Sequence, residues 1–389
     1  MAHGALLWGG GMTATVTTTE HLTALDTPSV IVDLDLLEQN IAEMAALARA
    51  AGVALRPHIK PHKTPEIARR QLAAGAVGVT CAKLGEAEAL ADAGLTDFFL
   101  AFPIVTALKA RRLAVLANRP GVNVSTIVDS PAGIAALSAV FAGEPELLDV
   151  LVKVDTGLGR VGVPPGAPTV ALARAITAAP GLRFAGICAH EGFSYGQSDP
   201  ATRDAVTRAG VATLVATARD LTAAGLRPER VSVGSTPGAR AALTVPGITE
   251  VRPGNYVFYD AMQVGLGVVP VERCALRVLA TVISHSARDR AVLDGGSKTF
   301  TSDKGVHGMA GAANHGIILG KEGVVLHALS EEHGWLRLDP AGDDVAIGET
   351  LSIIPVHSCP VANLAEELII VRGERVVDRW TVAARGRVR

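Results

Sequence analysis

Apolar positions along the chain follow two successive grammars. The run from Ser29 to Leu34 is β-branched and strand-like, and Asp35 with Glu38 three residues later has the spacing of a helix capping box. Leu37, Ile41, Met44 and Leu47 then recur at helical spacing, which predicts a stripe facing a core. Beyond them the chain alternates short apolar runs with helical segments. ALRPHIK, VGVTC, FFLAFPI, VSTIVD, DVLVKVD, RFAGICA, RVSVGS and TEVRPG are eight strand candidates. Between them lie helices such as the one opened by Thr64 and Pro65 and the Ala-rich stretch 168–178. Strands that are apolar on both faces must be covered on both, so the pattern predicts a parallel sheet flanked by helices. Eight units allow closure into a (β/α)8 barrel, with an open doubly wound sheet as the alternative.

After about Pro253 the pattern changes. CALRVLATVISH, RAVLDGG, LSIIPVHSC, EELIIVRG and ERVVDRWTV are strand candidates joined by polar or Gly-rich turns, which predicts a β-rich second domain. The expected organisation is a flexible terminus over 1–24, a barrel over 25–260 and a C-terminal β-domain over 261–389, which the N-terminal strand can join.

Composition narrows the function classes. The 389 residues carry 36 basic and 38 acidic side chains, a formal charge of −2, which gives no broad field for nucleic acid. Hydrophobic residues make up 49% and charged residues 19%, the balance of a chain with substantial cores. No apolar stretch reaches bilayer length, so no membrane span is expected. Cys81, Cys188, Cys274 and Cys359 form no Cys-x-x-Cys pair, which favours reduced thiols and a cytoplasmic setting. The first 22 residues have no basic region before their short apolar run and read as a loose terminus, with Met12 an alternative start.

Candidate chemistry gathers where barrel strands would end. RPHIKPHK crowds Arg56, His58, Lys60, His62 and Lys63 at the end of the first barrel strand, the side on which barrels place reactive groups. Lys60 there suits Schiff-base chemistry if neighbouring cations or burial favour its neutral amine. SVGSTPGAR follows the seventh strand, and Gly234, Ser235, Thr236 and Gly238 offer turns, hydroxyls and amides for an anion such as phosphate. It lacks the Gly-Lys-Ser/Thr ending of a nucleotide P-loop. Lys153, Asp155 and Arg160 surround a glycine-rich exit, with an internal Lys153–Asp155 ion pair as the bland alternative. His190, Glu191 and Tyr195 follow the next strand, where His190 suits proton transfer or support of a ring. In PVHSCP, His357 and Cys359 would share one face of an extended segment as neighbouring metal ligands. A thiolate favours zinc over magnesium, and His333 is the best distant third ligand, with a turn role equally open.

RPHIKPHKTPE, CAKLGEAEALADAG, SVGSTPG, VRPGNYVFYD, LDGGSKTFTSD, LSEEHG and HSC occur in an order that resembles fold-type III pyridoxal-phosphate enzymes, within the family of D-threonine aldolases and eukaryotic-type D-serine dehydratases. KVDTGLGRVG is similar to the corresponding alanine-racemase segment. The resemblance implies an alanine-racemase-like (β/α)8 barrel with a C-terminal β-rich domain, and pyridoxal 5'-phosphate on Lys60. Arg160, His190, Tyr195, Gly234, Ser235, Thr236, Gly238 and Tyr256 would bind that cofactor, with Lys60 and His190 catalytic. It further implies a divalent metal on His357 and Cys359, zinc ahead of Mn2+ or Mg2+, and a head-to-tail homodimer in which this pair lies near the partner's cofactor. The expected substrate is a 3-hydroxy-D-amino acid. Dehydration of D-serine or a relative to a 2-oxo acid and ammonia is the leading reaction, and aldol cleavage to glycine and an aldehyde is the alternative. Racemisation and non-catalytic cofactor binding are remoter readings. The AHEGFSYG segment leans toward the dehydratase branch, although Phe193 stands where histidine is expected.

Overall fold

A computed structural model describes residues 20–305 and 312–389. The chain enters on β1 (Ser29–Asp33), which belongs to the second sheet rather than to the barrel. Asp33, not Asp35, caps the first helix (Leu34–Ala50), its carboxylate accepting the Leu36 N–H at 3.1 Å. The strand ends one residue sooner than the β-branched pattern suggests, so the cap moves two residues earlier with it. The capping box is therefore absent, and Asp35 serves in the first turn.

Eight parallel strands then build the barrel: β2 (Ala54–Leu55), β3 (Val79–Cys81), β4 (Asp97–Pro103), β5 (Asn123–Val128), β6 (Leu148–Lys153), β7 (Leu182–Cys188), β8 (Arg230–Val233) and β9 (Glu250–Val251). Their order is β2-β9-β8-β7-β6-β5-β4-β3. A bridge from His58 to Thr80, with Ile59 N–H donating to the Thr80 carbonyl at 2.9 Å, draws β2 to β3 and curls the sheet round on itself. Open doubly wound topology is thereby replaced by a near-closed ring. Ile59, Leu100, Val128, Val152 and Val233 are buried in the largest core cluster, the apolar faces whose runs marked these strands.

The second sheet is mixed. β10 (Leu276–Ala287), β11 (Arg290–Leu293), β12 (Gly316–Ile318), β13 (Val324–Leu329), β14 (Gly334–Leu338), β15 (Thr350–Pro355), β16 (Glu367–Arg372) and β17 (Arg375–Thr381) join β1 in it. β1 lies between β10, antiparallel, and β16, parallel. β12, β13 and β14 were not marked by the sequence pattern, being short or alternating strands on the sheet's outer path. Among the described residues no helix is long and apolar enough to cross a membrane.

Candidate active site

The strand ends of the barrel enclose a cavity of about 110 Å³ that reaches the start of the helix Ser358–Leu364. Lys60 and His58 enter it from the loop after β2, Lys153 and Arg160 from β6 and its exit, and Arg252 from the end of β9. Among the described residues its lining has these two lysines and two arginines and no carboxylate. An anion would find cations there that make no direct ion pair with a carboxylate of the protein. Burial, together with Arg252 and Arg160, holds the Lys153 amine down to about 8, against a smaller opposing pull from Cys188 and Glu191.

Lys60 and Lys63, close in sequence, have separate fates. Lys60 lines the cavity, whereas Lys63 is buried and paired with Glu86 at 3.4 Å. Two imidazoles flank Lys60. Burial first, then Lys60 and other neighbouring cations, pushes both His58 and His190 well below the ordinary histidine value. Both are neutral near pH 7. The Lys60 backbone N–H donates to His58 Nδ1 at 3.3 Å, which leaves the neutral ring's proton on Nε2. His190 has the opposite tautomer, because its Nδ1 donates to the Gly234 carbonyl and Nε2 is the acceptor.

Gly234, Ser235 and Thr236 line the cavity with the Ser235 and Thr236 side chains mostly buried. Gly234 is required for backbone room: a Cβ there would lie 2.8 Å from the Arg252 carbonyl oxygen. Its N–H, however, is taken by Glu191 Oε2 at 2.9 Å, so it shapes the turn without offering a donor to a ligand. Gly238 stands behind the lining, its N–H donating to Ser235 Oγ at 3.1 Å. Tyr195 lines the wall, and burial raises its phenol well above the ordinary value. Tyr256 does not reach the cavity. It is fully buried and accepts a hydrogen bond from Gln71 Nε2 at 3.0 Å, because the short turn Asn255–Val257 directs it into the core.

His357 and Cys359 line the same cavity as Lys60 of their own chain. The segment is not extended: His357 is the N-cap of the helix Ser358–Leu364 and Cys359 lies in its first turn. Asp260 anchors this start, accepting from Ser358 N–H at 3.0 Å and from Asn255 Nδ2 at 2.7 Å. Asp303 pairs with His357 Nδ1 at 2.7 Å, which leaves Nε2 as the ring's other hydrogen-bonding nitrogen. Despite burial, the Cys359 thiolate and Asp303 raise the His357 ring well above its ordinary value, and His357 in turn lowers the Cys359 thiol. Among the described residues no cluster of three or more His, Cys, Asp or Glu side chains is arranged to hold a metal. His333 is exposed in the turn between β13 and β14, with its carbonyl accepting Ser330 N–H at 2.9 Å.

The alternative Lys153–Asp155 ion pair is also absent among the described residues. Asp155 accepts N–H groups from Gly157, Leu158 and Gly159 at 2.9 to 3.2 Å and so closes its own loop. Phe193 is not in the lining and packs toward the helix Pro200–Ala223, where a Cβ on Gly210 would meet its ring at 2.6 Å. Sequence reasoning missed Arg252, Asn255, Gln263 and the supporting Asp260 and Asp303. The VRPGNYVFYD and LDGGSKTFTSD motifs contained all of these but Gln263.

Residues 32–261 match the family "Alanine racemase, N-terminal domain". The chain belongs to the fold-type III pyridoxal-phosphate enzymes. Residues 275–371 match the family "Putative serine dehydratase domain". A D-threonine aldolase from Arthrobacter sp. is 35% identical over 94% of each chain. A D-threo-3-hydroxyaspartate dehydratase from Delftia sp. is 38% identical over 92% of this chain and 97% of that one. The crystal structure of D-threonine aldolase from Filomicrobium marinum superposes with a TM-score of 0.89 at 35% identity, covering 95% of this chain and 99% of that one. Within the family this chain stands with the lyases that act on 3-hydroxy-D-amino acids by dehydration or aldol cleavage. Family membership implies pyridoxal phosphate, and the carboxylate-free cationic cavity with its buried hydroxyl turn fits a phosphorylated aldehyde.

Proposed function

We propose that the protein cleaves 3-hydroxy-D-amino acids by retro-aldol reaction to glycine and an aldehyde. Lys60 would hold the cofactor aldehyde, the Ser235 and Thr236 turn would take its phosphate, and the cavity cations would receive the remaining anionic groups. When bound, the pyridoxal ring withdraws electrons from the substrate α-carbon. His357 and Cys359 would hold a divalent cation, and a thiolate–imidazole donor pair suits zinc. Such a cation lowers the proton affinity of a hydroxyl bound beside it.

The observation that carries this reading is the neutral imidazole of His190, whose tautomer presents Nε2 as an acceptor. Cleavage requires the β-hydroxyl to lose its proton as the α-to-β bond breaks, and a neutral ring can take that proton. Lys60 then supplies a proton to the α-carbon, completing glycine. Asp303 would hold the His357 ring, whose other nitrogen would give up its proton on binding the cation.

Dehydration is the second reading, favoured by Cys359 and by the 38% identity to a D-threo-3-hydroxyaspartate dehydratase. D-threonine separates the two. Enzyme loaded with pyridoxal phosphate and zinc should release mainly glycine and acetaldehyde. Predominant 2-oxobutanoate and ammonia would replace cleavage by dehydration. L-threonine run in parallel should be the poorer substrate, and efficient use of it would overturn the D-stereochemistry. The cytoplasmic setting and the homodimer belong to the same reading.

A further inference from the structure

Lys63 lies three residues beyond Lys60, yet its amine serves a different purpose. Its backbone takes a φ of +53°, uncommon for a side chain of this size, within the tight turn where both His62 and Lys63 N–H groups donate to the Ile59 carbonyl. Its buried ammonium donates to Asn363 Oδ1 at 2.7 Å and lies 3.4 Å from Glu86. Glu86 belongs to the first turn of the helix Leu84–Asp92, where its carboxylate also accepts the Ala82 and Lys83 N–H groups at 2.7 and 3.1 Å. Asn363 lies in the helix that His357 caps and that carries Cys359. One ammonium therefore ties together the Lys60 loop, a helix of the barrel rim and the helix bearing the soft donor pair.

The segment after β17 reinforces the same junction. Ala384 N–H donates to the Lys63 carbonyl at 3.1 Å, and Arg385 Nε donates to the Leu364 carbonyl at 3.1 Å. A loop and a helix could be packed together by apolar contacts alone. Burying a charge is costly unless its partners are in place, so the Lys63 ammonium is held only where Glu86 and Asn363 both reach it.

We propose that Lys63 is a positioning residue that sets the register of His357 and Cys359 against Lys60, acting through Asn363. The proposal rests on the reading that Lys60 holds the cofactor and that the donor pair holds a divalent cation. Replacing Lys63 itself would leave Glu86 buried without its partner and endanger the fold. The decisive variant is Asn363→Leu, which removes the tie and retains the Lys63–Glu86 pair.

Protein loaded with pyridoxal phosphate is titrated with cobalt(II), using the thiolate-to-cobalt absorption as the readout, and cofactor affinity and thermal midpoint are measured alongside. Asn363→Leu should weaken cobalt binding about tenfold and alter the absorption envelope, with cofactor affinity within about twofold of the parent, the range expected for a support outside the ligand shell. Asn363→Asp keeps an acceptor for the ammonium and should recover cobalt affinity. Parent-like cobalt affinity in folded Asn363→Leu would overturn the proposal. A lowered thermal midpoint without a cobalt effect would also overturn it, since the contact would then be structural only. Failure of the underlying reading has a different signature: the unmodified protein would show no thiolate–cobalt absorption, and the proposal would fall with it.

Discussion

At the floor of the barrel, Arg56 lies against Glu250 at 2.8 Å and against Asp97, and Arg183 lies 2.6 Å from Asp149 and 2.8 Å from Glu229. At the mouth, Lys60, Lys153, Arg160 and Arg252 crowd one cavity, and among the described residues none has a carboxylate within ion-pair distance. The same residue types thus perform opposite tasks at the two ends of the strands. Floor cations are neutralised internally and contribute to the fold. Mouth cations remain available to a ligand, and the folded chain carries the cost of holding them together.

Glu250 gives the sharpest test of the floor. Burial opposes its ionisation, but Arg56, Arg230 and Arg252 outweigh that and hold its carboxyl below the ordinary value. Glu250→Leu should therefore cost about 3–5 kcal/mol of unfolding free energy, because Arg56 keeps only Asp97 while Arg230 and Arg252 lose the buried carboxylate they face. Denaturant titration measures it, and a loss below about 1 kcal/mol would break the contrast between the two ends.

Lys153 tests the mouth with the opposite sign. Its amine sits at about 8 in the folded chain, below the ordinary lysine value, so below pH 8 it is charged in both states and the folded state carries the full penalty. As pH rises from about 8 toward 10.5, the unfolded chain binds more protons than the folded one, and this group's contribution to stability increases. The gain should be about 3 kcal/mol in cofactor-free protein and should vanish in Lys153→Met. Identical pH profiles for parent and variant across that window would remove Lys153 from the argument.

Much of this architecture was legible in the chain because parallel barrel strands are buried on both faces and appear as apolar runs. Lys60 and the Ser235–Thr236 turn were legible for a related reason: strand ends are where a barrel gathers its loops. Arg252 was not. Nothing in local sequence distinguishes an arginine that lines the mouth from one such as Arg56, since the difference is that the closed sheet seats Arg56 directly on Glu250 and Asp97 and gives Arg252 a hydroxyl and a carbonyl. Tyr256 belongs to a motif whose neighbours do line the cavity, but its turn directs the ring toward Gln71. The HSC segment was expected to be a continuing strand. Asp260, nearly a hundred residues earlier, holds Ser358 and starts a helix there instead. Asp303 is likewise tied to His357 only through tertiary contact.

The contrast between mouth and floor depends most on Lys60 being the lysine that takes the cofactor. Protein incubated with pyridoxal phosphate, reduced with borohydride and digested should carry the pyridoxyl mass on Lys60, with Lys63 unmodified behind its pair with Glu86. A pyridoxyl group on Lys63, Lys153 or any other lysine in place of Lys60 would contradict the account.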